Sequence, residues 1–323
     1  MAGINAITLE DVKAFAKAAY TRAALIAGVS GDVPAQYLDR VKSELGKLPA
    51  GPALPPPAGV VARRPSGLEV EIVQKETRAT AISFGAPIGV TRAHPDYAAL
   101  SVAKVWLGEH RSSQSHLYQR IRELRGMNYG DYAYIEAFPR GMFQFFPDPN
   151  IPRRSQLFEV WIRPVVPENA QMALRIALFE VGKLIRNGLT EADFQATREY
   201  LMKNVYLLTA TQEQQLGYAI DSKWYGIPDF TTMMREHLSK LTRAEVNAAI
   251  KNYFSAKDLA VVIVTKDAAG LKEKLLSDAV STIKYDSEKA RAVYQEDKVI
   301  GAFKLGMKPE KVTISPVEDV FAK

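Results

Sequence analysis

LTRAEVNAAIKNYFSAKDLAVVIVTKDA, Leu241 to Ala268, reads as a capped amphipathic helix, a short loop and an apolar strand that runs on into another helix. The same order stands near the start of the chain, in ITLEDVKAFAKAAYTRAALIAGVSGDV, Ile7 to Val33. At one constant offset Thr8 meets Thr242, Asp11 meets Glu245, Val12 meets Val246, Lys17 meets Lys251, Tyr20 meets Phe254 and Leu25 meets Leu259. Cap positions and apolar strands (Leu25 to Val29; Leu259 to Val264) therefore coincide, which marks an internal repeat.

The repeat sets the expected organisation. In the second copy the unit closes a long α/β stretch, whereas the first copy has almost nothing before it. Residues 1–50 accordingly read as the C-terminal part of a preceding module and residues 60–285 as a complete one. Residues 51–59 between them are Pro-rich, and prolines fit neither a helix interior nor a central strand. Residues 286–323, with YDSEKARAVYQEDK, read as a polar surface tail or strap.

Within the complete module, Leu68 to Phe84 has strand composition broken by a polar turn near Lys75 and Glu76. A helix follows Pro95 and stops at Gly108. Leu117, Ile121 and Leu124 then share a helical face, with Gly126 as the expected C-terminal cap. Met127 to Phe138, Met142 to Phe146 and Leu157 to Val165 read as strands. Leu174, Ala177, Leu178, Val181, Leu184 and Ile185 form a helical stripe ending at Gly188, and Thr190 with Asp193 caps the next helix. A further helix is expected from Phe230 to Leu238. The pattern implies an α+β fold, a sheet covered on one face by helices and built from the repeated unit.

Composition narrows the chemistry. The chain has 323 residues, 47% of them apolar and 24% charged, as an ordinary folded protein has. Its net charge of +6 is spread along the chain rather than gathered in a nucleic-acid footprint. No apolar run approaches a membrane span, and the absence of cysteine removes disulfides, thiolate ligands and a thiol nucleophile. The four histidines, His94, His110, His116 and His237, never pair on one helical turn beside a glutamate, so no zinc-peptidase motif is present. There is no G-x-S-x-G elbow, phosphate loop or dinucleotide fingerprint.

The stretch WLGEHRSSQSHLYQRIRELRGMNYGDYAY, Trp106 to Tyr134, resembles a signature of the pitrilysin/insulinase family of zinc metallopeptidases. That signature runs Leu-Gly, Ser-Ser, a leucine-bearing helix with Leu-Arg-Glu, then Gly-Leu-x-Tyr entering a strand. FGAPIGVTRAHPDYAALSVAKVWLG before it and NGLTEADFQATREYLMKN after it are similar to the family too, as is the segment from Ile7. The resemblance implies two lobes of related modules around an enclosed chamber. The zinc-binding helix belongs to the first module, so Zn2+ is expected in a missing or partner half, with no metal and no catalytic residue in this chain.

By residue type alone, Arg122 reads as an exposed helix arginine paired with a nearby glutamate, and Tyr129 as a packed strand residue. The resemblance implies something else: an Arg and a Tyr at this spacing in the non-catalytic lobe reach the substrate near the metal. Arg122 would hold peptide backbone or carboxylate with its forked donors, and Tyr129 would hydrogen-bond the scissile carbonyl as charge develops. The expectation is a substrate-binding portion of a zinc endopeptidase, its partners being a peptide and a zinc-bearing lobe. The alternative is a structural or assembly subunit of the same fold, and a weaker third reading is a basic binding module. The resemblance also favours the cell envelope over the cytoplasm.

Overall fold

The computed structural model describes residues 2–55, 62–136 and 149–320. The expected strand Met142 to Phe146 lies outside these residues, as does the end of the one expected to reach Phe138.

The N-terminal segment holds three helices, α1 (Ala2–Asn5), α2 (Leu9–Ala19) and α3 (Ala35–Gly46). Thr8 and Asp11 form a reciprocal capping box at the start of α2. The expected strand Leu25 to Val29 belongs to no sheet. A strand needs a neighbour to take up its amide and carbonyl groups, and none lies alongside it among the described residues.

The main body contains β1 (Leu68–Gln74), β2 (Thr80–Ile88), α4 (Tyr97–Gly108) and α5 (His116–Tyr118), which continues as a π-helical turn over Gln119–Glu123. Then follow β3 (Asp131–Tyr134), β4 (Gln156–Val165), α6 (Ala170–Asn187), α7 (Glu191–Asn204), α8 (Gln212–Tyr225), α9 (Phe230–Lys240) and α10 (Arg243–Tyr253). The chain closes with β5 (Leu259–Thr265), α11 (Ala268–Ser277), α12 (Arg291–Gly301) and β6 (Val312–Pro316). The six strands make one mixed sheet in the order β3-β4-β2-β5-β1-β6. β5 and β6 run parallel to β1, while β2 is antiparallel to both β4 and β5.

Alternation decides which face is covered. Val70 and Ile72 on β1, Ile82 and Phe84 on β2, Phe158, Val160 and Ile162 on β4, and Leu259, Val261 and Ile263 on β5 all point into the helical layer and are buried. Each such side chain contributes about 1.5–3 kcal/mol of burial, an upper figure. The α6 stripe of Leu174, Ala177, Leu178, Val181 and Leu184 packs onto that face. Glu71, Ser83, Trp161 and Val262 stand on the opposite face, which the described helices leave uncovered.

The segment expected as a polar strap carries α12 and β6, and β6 is a member of the sheet. Arg175, fully buried on α6, ties the segment before α12 to the end of that helix by donating to Asp278, to the Ala279 carbonyl and to the Gly301 carbonyl. α8 has no counterpart among the helices expected from sequence. Its polar composition hides it, although Thr211 and Gln214 form a capping box at its start.

Candidate functional site

Arg122 sits in the π-helical turn after α5. Leu117 and Ile121 point inward and are buried, fixing which face looks out. π-turns widen a helix by one residue and recur at functional sites. Gly126 ends the helix with φ +68, a conformation that costs a residue with a Cβ about 1 kcal/mol or more. Its amide donates to the Arg122 carbonyl at 2.6 Å, so the chain reverses directly over Arg122.

Tyr129 follows on that turn, one residue short of Gly130 and β3. The strand expected from Met127 begins instead at Asp131. Asn128 diverts the backbone before it, its side-chain amide donating to the Gly130 carbonyl at 3.2 Å and to Asp131 at 2.5 Å. Tyr129 is 72% exposed and is therefore not a packed strand residue.

The turn brings the two side chains together. The Arg122 guanidinium carbon lies 5.0 Å from the Tyr129 ring centre and 5.3 Å from that of Tyr118, with Nη1 donating to Glu123 at 2.7 Å. Such a partly exposed cation–π contact is worth about 0.5–1 kcal/mol. Arg122 thus has the glutamate that residue type alone suggested, and it also faces Tyr129.

Buried charges hold the turn from behind. Glu180 on α6 accepts from His116 Nε2 at 2.8 Å and Arg120 Nε at 2.9 Å. Arg120 also pairs with Glu296 on α12, whose other oxygen accepts from Arg125 at 2.7 Å. Arg125 Nε donates to Asp297 at 2.8 Å, and Asp297 accepts the Tyr285 hydroxyl at 2.6 Å. Burial opposes ionisation of Glu180, but the hydrogen bond and charge of His116, with Arg120 and Lys183, pull its carboxyl down to about 2. Glu296 is likewise lowered: burial raises it, and Arg120 and Arg125 more than offset that. His116 also stacks on Trp106 at 4.2 Å, so it belongs to this network rather than to the solvent.

Asp131, at the start of β3, is fully buried, and burial pushes its carboxyl up to about 7 against the lowering influence of Asn128 and Arg122. Nothing local in the sequence marks Glu180, Glu296 or Asp297, which meet the turn only through tertiary packing. Asn128 and Asp131 flank a glycine, a turn signal that was readable. At the far end of β3, Gly108 lets α4 approach closely, since a Cβ there would fall 2.5 Å from the Ala133 amide nitrogen. Tyr132 and Tyr134 pack with Trp161 on the sheet face opposite the main core.

Among the described residues, no group of three His, Asp or Glu side chains could hold a metal ion, so the donor set does not fit zinc. Among them, too, no helix is long and apolar enough to cross a membrane.

Comparisons with known proteins bear on this arrangement. The sequence pattern of the peptidase M16 inactive domain matches residues 6–201, more than half of the chain. An uncharacterized zinc protease of Streptomyces coelicolor is 30% identical over 141 residues, 42% of this chain and 30% of that protein. The M16 inactive domain from Pseudomonas fluorescens superposes with a TM-score of 0.66 at 21% identity, covering 81% of this chain and 58% of that one. A protease from Helicobacter pylori gives 0.63 at 17%, covering 82% and 61%. This chain thus spans less than two thirds of each of these three relatives. It belongs to the peptidase M16 inactive-domain family.

Proposed function

We propose that this chain is the substrate-gripping, non-catalytic portion of a zinc endopeptidase that cleaves peptides or small proteins in an enclosed chamber. The observation that carries the reading is the Arg122–Tyr129 pair, 5.0 Å apart with the tyrosine exposed. Arg122 keeps donors beyond the one used by Glu123, and their fixed fork suits a peptide carbonyl or carboxylate. The Tyr129 hydroxyl donates to the scissile carbonyl, and the neighbouring guanidinium favours the charge that develops there. Zinc and the attacking water belong to a partner half.

The repeat supports a docking surface for that half. Val12 is 52% exposed where its counterpart Val246 is fully buried, Tyr20 is 63% exposed against 5% for Phe254, and Leu25 is 41% exposed against 0% for Leu259. Residues 7–29 therefore carry the pattern of a core element without its core. Their partner is an α/β lobe of the same kind, which takes Leu25 to Val29 as a strand.

The test is cleavage of a quenched fluorescent peptide by this chain with its zinc-bearing half, using wild type and Arg122→Ala. A marked drop in the variant supports the reading. Equal rates remove Arg122 from it and favour a structural subunit.

A further inference from the structure

A groove of about 570 Å3 opens beside Tyr129, within the roughly 300–1,000 Å3 range of ligand clefts. One wall is the turn Arg125 to Tyr129, the end of β4 at Pro164 and Val165 with Val166 after it forms another side, and residues 283–287 with Lys289 form the far wall. Asp297 fastens two of these walls together, taking Arg125 at 2.8 Å from one and the Tyr285 hydroxyl at 2.6 Å from the other. The cleft is therefore built rather than incidental.

Its lining is polar in a particular way. Asn128 lines the groove but is 4% exposed, and its side-chain amide is turned to the Gly130 carbonyl and Asp131. Lys284 and Lys289 stand on the far wall against one acidic residue, Asp286, and Lys289 is held 5.5 Å over the Tyr285 ring. Arg125 adds little to the field, because Glu296, Asp297 and the Arg120 carbonyl already occupy it.

We propose that this groove is a specificity subsite for the peptide segment flanking the bond held at Arg122 and Tyr129, and that it selects an acidic side chain. The inference rests on the function proposed above and deepens it. Lys284 and Lys289 supply the selection, and α12 sets the width through Asp297.

Fluorescence anisotropy tests it on the full chain, with two labelled ten-residue peptides identical except for two Glu in one and two Gln in the other. The wild type should bind the Glu peptide roughly threefold or more tightly, a preference that shrinks with added salt. The double variant Lys284→Glu with Lys289→Glu, at exposed or half-exposed positions, should lose or invert the preference. Arg122→Ala should weaken both peptides alike and leave their ratio unchanged. Equal binding of the two peptides, no binding of either, or a preference that survives the charge reversal overturns the subsite. The Arg122–Tyr129 reading is decided separately by the cleavage assay, so the two failures are distinguishable.

Discussion

Glu296 on α12 accepts from Arg125 at 2.7 Å through one carboxylate oxygen and pairs with Arg120 through the other, binding residues on either side of Arg122 in the sequence. The turn that carries Arg122, the residue we propose to meet substrate, is thus held by a helix far along the chain. Arg122 itself is left to meet Tyr118, Glu123 and Tyr129 on the outer side.

Tyr129→Phe keeps the ring beside Arg122 and removes only the hydroxyl. In the reconstituted peptidase kcat should fall roughly 100-fold with little change in KM, the effect of deleting one donor to a developing oxyanion. Steady-state kinetics on one peptide substrate checks this, and an unchanged kcat would remove the tyrosine from the reaction.

The Asp131 carboxyl lies near 7 in the folded chain against an ordinary value of 3.8. The fold therefore favours its neutral form. Between the two values the unfolded chain has already released this proton, so stability from this group falls as pH rises toward 7. Urea midpoints should be lower at pH 8 than at pH 5.5, and Asp131→Asn should flatten the difference.

Glu180 gives the opposite limb. Its folded value of about 2 lies below the ordinary 4.5, so its stabilisation is present above the latter and lost as pH falls toward 2. Glu180→Gln leaves His116 facing an uncharged group and Arg120 with Glu296 as its remaining carboxylate, and should cost about 1–3 kcal/mol. Chemical denaturation at pH 7 measures the loss, and a scan from pH 5 to 2 should be flatter in the variant.

Val12→Asp and Val246→Asp place one change at equivalent points of the repeat. The second buries an unpaired charge and should unfold the chain; the first, half exposed, should leave the melting temperature within about 2 °C. Only Val12→Asp should produce a folded chain that no longer co-purifies with the zinc-bearing half. Circular dichroism and a pull-down separate the outcomes, and retained binding would sink the docking surface.

Much of this fold was legible because its signals are local. The α6 stripe, the Thr8 and Thr242 caps, Gly126 and the helix stops at Gly108 and Gly188 are each specified by a few neighbouring residues. Leu25 to Val29 misled because strand composition says nothing about whether a neighbouring strand exists. α12 was hidden because Val293 and Ile300 are the buried apolar side chains of an otherwise polar helix. Its Glu296 and Asp297 look like ordinary surface charge until Arg120 and Arg125 are brought to them. At the candidate site, the spacing of Arg122 and Tyr129 was readable, but their surroundings depend on contacts far apart in the chain.

The carboxylate of Asp297 lies 172 residues beyond the arginine it binds. Synthesis runs from the N-terminus, so the turn bearing Arg122 leaves the ribosome well before the helix that locks it. A nascent chain consequently carries this turn before the helix that braces it has been made. The turn is braced only once α12 has emerged, and a product stopped short of Arg291 would carry both Arg122 and Tyr129 yet lack Glu296 and Asp297, which hold Arg120 and Arg125 beside them.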